Sequence, residues 1–161
     1  MSLVAKLLPP SNIEIDLAIS SKKRLFEQVG LMFENNHGIA RTTVFESLFA
    51  RERLGSTGLG QGVAIPHGRI KGLKDALGAF VRLQQPVAFD APDGAAVNLV
   101  FVLLVPEQAT EKHLQILSEL AQMFSDKALR EAMTAAPDAG ALHQIISAWQ
   151  PDVPSQRRAV A

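Results

Sequence analysis

A histidine held between a proline and a glycine has the setting in this chain that best suits chemistry. His67 follows Pro66 and precedes Gly68, near the end of residues 55–69, where five of fifteen residues are glycine. Pro66 has a restricted φ and favours extended backbone at Ile65, so the imidazole is presented on a stiff support. Glycine permits positive φ and a close approach of another molecule. This setting predicts an imidazole that acts as a nucleophile or a base.

Acceptance of a phosphoryl group is the chemistry that fits such an imidazole. An accepting histidine needs one unprotonated ring nitrogen that faces outward, a hydrogen bond on the other nitrogen that sets the tautomer, and clearance for a bulky donor. The glycines beside His67 offer that clearance and a nearby backbone acceptor. We interpret His67 as a candidate phosphoryl acceptor, against the alternative of a surface histidine in a glycine-rich turn.

Two further side chains could serve the same site. Arg51 lies just before the glycine-rich stretch, where a guanidinium could neutralise a transferring phosphoryl group, although it could also be a solvated helix-surface charge. His113 is expected in the first turn of a helix, where it could point at an anion, although it could also be a satisfied core histidine. The sequence leaves both alternatives open. His37 and His143 are interpreted as a helix stop and a mid-helix surface residue.

Several other kinds of site are disfavoured by spacing. No Gly-Lys-Ser/Thr follows the glycines, so they do not form a Walker A loop, and Gly58-x-Gly60-x-Gly62 does not fit the dinucleotide fingerprint. The four histidines lack the spacing of a zinc motif, and no Gly-x-Ser-x-Gly elbow is present. A metal shared by His67 and His113 stays open but lacks a third ligand. We expect neither a cofactor nor a metal.

Composition narrows the class of protein and of partner. The 161 residues suit one domain, and the absence of cysteine fits a reducing compartment, so we expect a cytoplasmic protein. No apolar run approaches the ~20 residues of a membrane span. Sixteen basic and sixteen acidic side chains cancel, which argues against a broad surface for nucleic acid or anionic membrane. The expected partner is therefore a protein or a small anion.

Hydrophobic periodicity predicts strands interleaved with helices. This order is typical of an α/β fold with a mixed β-sheet sandwiched between α-helical layers. We place a single domain at residues 1–150 and a disordered tail at residues 151–161. The predicted strands cover residues 13–17, 76–83, ended by Gln84-Gln85-Pro86, and 97–105, and a short strand at 87–89 is considered. The predicted helices run from a cap at Ser20-Ser21 to His37-Gly38, from a capping box at Thr43–Glu46 to a stop at Gly55, from Thr110 through Phe124, and over 126–135 and 138–149.

The residues around His67 also carry a family resemblance. Glu52, then Leu59-Gly60, then the run Val-Ala-Ile-Pro-His-Gly at 63–68 resemble the active-site signature of the fructose- and mannitol-type enzyme IIA domains of the bacterial phosphoenolpyruvate phosphotransferase system. Segments 51–58, 86–91 and 103–106 are similar to the nitrogen-related branch of that family. The resemblance covers almost the whole chain, from about residue 13 to residue 149.

The resemblance implies a phosphocarrier with a mixed sheet between helical layers. A small histidine phosphocarrier protein of the NPr or HPr type would donate the phosphoryl group to Nε2 of His67. His113 would correspond to the second active-site histidine and Arg51 to the nearby arginine. We expect the apolar residues Leu59, Val63 and Ile65 to surround His67, dock the donor and exclude water.

Three functions remain to be compared. The leading hypothesis is a regulatory phosphocarrier, rather than a free-standing turnover enzyme. The lack of a membrane or IIB-like extension favours this regulatory role over sugar transport. Its targets would be regulatory proteins, such as potassium transport proteins or sensor kinases, but no residue selects among them. The second hypothesis is a free-standing sugar-specific IIA protein that passes phosphate to a IIB domain. The third is a binding module whose His67 only contacts a partner.

Overall fold

The computed structural model describes residues 2–108 and 111–151. The predicted tail, from residue 152 onward, and the predicted cap at Thr110 lie outside the described residues. The helices are α1 (Leu3–Leu7), α2 (Lys22–His37), α3 (Arg41–Glu52), α4 (Glu111–Phe124), α5 (Lys127–Ala135) and α6 (Ala139–Ala148), with a 3₁₀ turn at Pro10–Asn12. The strands are β1 (Ile13–Leu17), β2 (Gly58–Gly60), β3 (Val63–Ala64), β4 (His67–Ile70), β5 (Leu77–Val87) and β6 (Val97–Pro106).

A mixed six-stranded sheet forms the middle of the molecule, as predicted. The strand order is β1-β5-β6-β3-β2, and β4 also pairs with β6. β1 is parallel to β5, and both β3 and β4 are parallel to β6, whereas β5 and β6 are antiparallel. β3 and β4 extend along the same side of β6, since Val63 is opposite Leu99 and His67 is opposite Leu103. The histidine segment is therefore anchored on an interior strand.

Helices cover both faces of the sheet, which confirms the predicted layers. Successive residues of β6 alternate between two cores, so that Phe101 and Leu103 face one side while Val100 and Val102 face the other. The first core is completed by α1, α4, α5 and α6, and the second by α2 and α3. Burial on both faces explains why β6 is almost continuously apolar.

Local sequence signals place the ends of α2 correctly. The hydroxyl of Ser21 accepts a hydrogen bond from the backbone N–H of Arg24, as an N-cap residue should. The helix ends at Gly38, whose φ of 70° is the left-handed conformation that glycine adopts without strain. Asp126 and Asp138 cap α5 and α6 in the same way as Ser21 caps α2.

The predicted capping box at Thr43–Glu46 is wrong, because α3 already begins at Arg41. The carboxylate of Glu34, on the preceding helix, accepts the backbone N–H of Arg41 at 2.9 Å and its Nε–H at 2.8 Å. A side chain from another helix thus does the work of an N-cap residue. α3 ends at Glu52, three residues before the expected stop at Gly55.

The predicted end of β5 at Gln84-Gln85-Pro86 is also wrong. The strand continues to Val87, which pairs with Val97, and the register shifts between Arg82 and Val87. Proline is tolerated at such an irregularity, because no regular ladder hydrogen bond is required there. Of the short strand considered at 87–89, only Val87 is in a strand, and it is the last residue of β5.

Helix α1 has no counterpart in the sequence prediction. Its five residues are too few to give a helical period, yet Val4 and Leu7 are buried in the first core. The hydroxyl of Ser2 caps the helix by accepting the N–H of Ala5. Packing against α4 and α6, rather than local propensity, accounts for this helix.

Candidate functional site

His67 begins β4, and the backbone on its N-terminal side is held at two points. The carbonyl oxygen of Pro66 accepts the N–H of Leu103 at 2.9 Å, and the N–H of Ile65 donates to the carbonyl oxygen of Thr57 at 3.0 Å. Pro66 and Ile65 are buried, while His67 is half-buried. A stiff, well-anchored support for the imidazole is therefore present, as its sequence setting suggested.

The tautomer of His67 follows from one hydrogen bond. Its Nδ1 atom lies 2.9 Å from the carbonyl oxygen of Ile65. A carbonyl oxygen can only accept, so Nδ1 carries the proton and Nε2 of the neutral ring keeps its lone pair. The backbone acceptor expected near His67 is thus supplied by Ile65, not by a neighbouring glycine.

The electrostatic surroundings favour the neutral ring. Burial lowers the pKa of His67 below its ordinary value of 6.5, and the charge of Arg51 lowers it further. The carbonyl of Ile65 and the carboxylate of Glu52 act in the opposite direction. Since the net shift is downward, Nε2 is unprotonated and available as a nucleophile at neutral pH.

His113 lies against His67, although 46 residues separate them in the chain. Their ring centroids are 5.6 Å apart, and the ring planes meet at 66°. Burial lowers the pKa of His113, with further lowering by the charges of His67 and Arg69. Among the described residues, Nε2 of His113 has no hydrogen-bond partner although it is buried. A bound anion would supply the partner that this atom lacks.

Arg51 occupies the last turn of α3, close enough to His67 to lower the pKa of that histidine. Its Nη1 atom donates to the carbonyl oxygen of Gly55 at 2.7 Å, so the guanidinium is tied to the loop that follows the helix. The structure therefore brings together His67, His113 and Arg51, the three site residues predicted from sequence. Their positions suit a site that receives an anion.

Arg69 is a fourth candidate, which the sequence prediction missed. It lies two residues after His67 on β4, and alternate residues of a strand share a face. Its Nη1 atom donates to the carbonyl oxygen of Glu107 at 2.6 Å, and its charge acts on His113. Recognition of residues 67–70 as a strand would have revealed the shared face. Residues 55–69 had instead been interpreted as a loop.

The apolar surface near the site differs from the expectation. Leu59 is 45% exposed, but Val63 and Ile65 are 0% and 4% exposed, so they cannot contact a donor. Val63 is buried because β3 is inserted beside β6, between the two helical layers, and Ile65, just after β3, packs in the same first core. Among the described residues, the large apolar side chains with the greatest exposure are instead Leu54, at 84%, and Leu114, at 64%.

The other two histidines have structural surroundings. His37 ends α2, as predicted, and its Nε2 atom lies 3.1 Å from Oδ1 of Asn12. The surface position predicted for His143 is wrong, because the side chain is half-buried and Nε2 lies 3.2 Å from the carbonyl oxygen of Leu8. This contact connects α6 with the end of α1.

Within residues 2–108 and 111–151, no three His, Cys, Asp or Glu side chains gather closely enough to hold a metal ion. In the same part of the chain, every helix is too short or too polar to span a bilayer.

Comparison with known proteins gives a consistent family. The sequence model of the family described as "Phosphoenolpyruvate-dependent sugar phosphotransferase system, EIIA 2" matches residues 6–149. A nitrogen regulatory protein of Pseudomonas aeruginosa is 44% identical over 147 residues, which cover 91% of this chain and 96% of that protein. The crystal structure of the nitrogen regulatory protein IIA-Ntr from Neisseria meningitidis has a TM-score of 0.85 and 54% identity, covering 90% of this chain and 99% of that one.

A more distant structure shares the fold alone. The crystal structure of IIA mannitol from Escherichia coli has a TM-score of 0.71 at 19% identity, and the match covers 86% of this chain and 97% of that one.

Proposed function

Because the chain belongs to the EIIA 2 family of the phosphoenolpyruvate-dependent sugar phosphotransferase system, we propose that His67 is its phosphoryl acceptor. Its function is that of a regulatory phosphocarrier of the nitrogen-related branch, in line with relatives that carry the name nitrogen regulatory protein. One observation supports His67 above all: the hydrogen bond of Nδ1 to Ile65 leaves Nε2 with its lone pair.

The phosphoryl transfer needs no separate general acid or general base. The Nε2 lone pair of His67 attacks the phosphorus of a phosphohistidine on the donor, and the donor's N–P bond breaks with its electron pair left on the donor ring. His67 keeps its proton on Nδ1, so the phosphorylated ring gains positive charge that the carbonyl of Ile65 stabilises. Positioning and charge stabilisation are the main contributions required of the protein.

Three other side chains suit the charge that moves during transfer. Nε2 of His113, which has no hydrogen-bond partner among the described residues, can donate a hydrogen bond to a phosphoryl oxygen. Arg51 and Arg69 supply positive charge beside His67 and His113 respectively. Guanidinium groups suit phosphoryl oxygens, because their fork of N–H donors can bind two oxygens.

The proposed donor is a small phosphocarrier protein of the NPr or HPr type. The exposed side chains of Leu54, Leu59 and Leu114 offer apolar contacts for such a partner. A brief encounter of this kind requires only a small interface. We also propose a cytoplasmic location, because phosphoenolpyruvate, with which the phosphotransfer chain begins, is a cytoplasmic metabolite.

The downstream partners are proposed as regulatory proteins that distinguish the phosphorylated from the unphosphorylated form. Potassium transport proteins and sensor kinases fit the nitrogen-related branch, and no residue of the site discriminates between them.

The second candidate function, a sugar-specific IIA protein, has less support. The mannitol protein shares only 19% identity with this chain, against 44% for the Pseudomonas aeruginosa nitrogen regulatory protein. Incubation of the phosphorylated protein with a IIB domain separates the two functions. Transfer to IIB and then to fructose or mannitol would favour the sugar-specific function, and retention of the phosphoryl group favours the regulatory one.

Intact mass after incubation with phosphoenolpyruvate, enzyme I and the phosphocarrier tests the proposal. We expect one added phosphoryl group on the wild type and none on His67→Ala. Equal labelling of both proteins would overturn the assignment of His67. No labelling of the wild type, with a donor that labels a control acceptor, would leave the chain as a binding module.

A further inference from the structure

The proposed transfer makes no use of a buried carboxylate beside the site. Glu52 ends α3, directly after Arg51, and its side chain is 3% exposed. Both carboxylate oxygens are engaged: Oε1 accepts the hydroxyl of Thr57 at 2.6 Å, and Oε2 accepts the N–H of Thr57 at 3.0 Å. Nζ of Lys22, in the first turn of α2, also lies 2.9 Å from Oε2. Burial of a charge is costly, and here the cost is offset by three hydrogen-bond donors that also restrict the carboxylate to one orientation.

The contacts of Glu52 continue to the imidazole. Thr57, held by the carboxylate through its N–H and hydroxyl, uses its carbonyl oxygen to accept the N–H of Ile65 at 3.0 Å. Ile65 in turn uses its carbonyl oxygen to accept Nδ1–H of His67 at 2.9 Å. An unbroken series of hydrogen bonds therefore runs from Lys22 through Glu52, Thr57 and Ile65 to the ring of His67.

The same carboxylate closes the loop that holds Arg51. Residues 53–56 connect Glu52 to Thr57, and the two ends of this loop are joined by the carboxylate hydrogen bonds. The N–H of Gly55 donates to the backbone oxygen of Glu52 at 3.2 Å, while its carbonyl oxygen accepts the guanidinium of Arg51. One buried residue is thus connected by hydrogen bonds both to the support of the acceptor ring and to the loop that binds the cation beside it.

We propose that Glu52 is a positioning residue for phosphoryl transfer, which aligns His67 and Arg51 through Thr57 and whose negative charge favours the cationic ring that forms when His67 is phosphorylated. This inference rests on the function proposed above. It is distinct from a purely structural bridge between α2 and α3, since Glu52 also acts electrostatically on His67.

The charges that face His67 determine the sign of the electrostatic effect. Arg51 and Glu52 act from α3, and His113 contacts the ring from α4. Burial and Arg51 lower the pKa of His67, whereas Glu52 raises it. Removal of the Glu52 charge should therefore lower the pKa of His67 further.

Glu52→Gln tests the proposal, because the amide keeps the size and one acceptor oxygen but removes the charge. The expected result is phosphorylation of His67 that is roughly ten- to a hundredfold slower, as for a small misplacement of reacting groups. The pKa of His67, followed by NMR of the ring in the unphosphorylated protein, should also fall. Glu119→Gln is the matched control: Glu119 is 9% exposed on α4 and accepts the N–H of Leu3 at 3.2 Å. It should leave both the rate and the pKa of His67 unchanged.

A second pair of variants serves if Glu52→Gln does not fold. Thr57→Val removes the hydroxyl that Glu52 binds while keeping the branched shape, and Thr57→Ser restores the hydroxyl. We expect Thr57→Val to slow transfer and to change the ring nitrogen shifts of His67, and Thr57→Ser to recover most of the loss.

These measurements distinguish failure of the positioning role of Glu52 from failure of the proposed phosphocarrier function. If the wild type is phosphorylated on His67 while Glu52→Gln has the same rate and the same pKa of His67, the positioning role is wrong and the phosphocarrier function stands. A slower rate with unchanged ring shifts in Glu52→Gln and in Thr57→Val would also contradict it. Absence of labelling in the wild type would instead reject the proposed function.

Discussion

The rings of His67 and His113 meet edge to face with their centroids 5.6 Å apart. His67 belongs to β4, which precedes β5 and β6 in the sequence, and His113 belongs to α4, which follows them. Pairing of β4 with β6 places the first ring, and packing of α4 on the first core places the second. The site is therefore formed by the tertiary fold, although the tautomer of its acceptor is set by a local contact with Ile65.

His113→Ala should still accept a phosphoryl group, because the nucleophilic nitrogen belongs to His67. We expect the transfer rate to fall about a hundredfold and the phosphorylated form to hydrolyse faster, since one hydrogen-bond donor to the phosphoryl oxygens is lost. Quenched-flow labelling with a phosphorylated carrier measures the rate. His143→Gln, which changes a histidine that contacts Leu8, serves as the control. Unchanged rate and product lifetime in His113→Ala would remove His113 from the site.

The two arginines can be separated by substitution. Arg51→Ala should raise the activation free energy of transfer by roughly 2 to 3 kcal/mol, because negative charge on the phosphoryl group is left unbalanced. Arg69→Ala should slow it as well, and Arg69→Lys should recover part of the loss, since a lysine keeps the charge without the fork of donors. Arg53→Ala, an exposed arginine two residues after Arg51, is the matched control. If Arg51→Ala behaves like that control, Arg51 is only a solvated charge.

Stability should depend on pH through both histidines of the site. The pKa of each is lower in the folded protein than the ordinary 6.5, so the unfolded chain binds more protons as the pH falls below that value. The contribution of the two neutral histidines to the free energy of unfolding is therefore fully present above pH 6.5. It is lost progressively as the pH falls toward the lowered pKa values of the folded protein. Urea unfolding at about pH 7.5 and about pH 5.5 should show this loss, and His113→Ala should lose less. A wild type that becomes more stable as the pH falls from about 7.5 to about 5.5 would show that the pKa values of the two histidines are not lowered by folding.

Donor docking should respond to Leu54 and Leu114 without a change in folding. Replacement of either by Asp places a charge on an exposed position, so we expect a higher KM for the phosphocarrier with nearly unchanged kcat and thermal stability. Ala128→Asp on α5, also exposed, controls for the added charge. Val63→Asp should instead prevent folding, because Val63 is fully buried. An unaltered KM in both leucine variants would place the donor elsewhere.

Gly68 permits close packing between β4 and α3. A Cβ atom at this position would overlap Oγ of Ser47 and lie 3.1 Å from the backbone carbon of Ser47. Gly68→Ala should therefore destabilise the protein by about 1 to 3 kcal/mol, and Ser47→Ala in the same chain should relieve part of the loss. Gly140→Ala on α6, where the nearest atom would be 3.4 Å away, is the control and should be neutral or stabilising. Equal stability of the two alanine variants would show that β4 and α3 adjust freely.

Local signals were sufficient for the features that depend on neighbouring residues in the chain. Ser21 begins α2 by accepting a hydrogen bond from the N–H of Arg24, and Gly38 ends it through its left-handed conformation, so both ends of α2 were predicted correctly. The hydrogen bond from Nδ1 of His67 to the carbonyl oxygen of Ile65 is local in the same sense, whereas the anchoring of Pro66 and Ile65 depends on Leu103 and Thr57.

Features that depend on distant residues could not be predicted. α3 begins where Glu34 of another helix caps it, β5 continues because Val87 pairs with Val97 of β6, and α1 is stabilised by packing. The burial of Val63 and Ile65 follows from sheet order, which the apolar pattern alone does not specify.

The proposed function requires that Nε2 of His67 carries the phosphoryl group. The most direct test is NMR of the protein labelled with ¹⁵N in its histidine rings, after phosphorylation by the carrier, with detection of the coupling between phosphorus and the bonded ring nitrogen. We predict one phosphohistidine, bonded through Nε2 and assigned to His67, with Nδ1 still protonated. Phosphorus bonded to Nδ1, to His113 or to another side chain would show that Nε2 of His67 is not the acceptor.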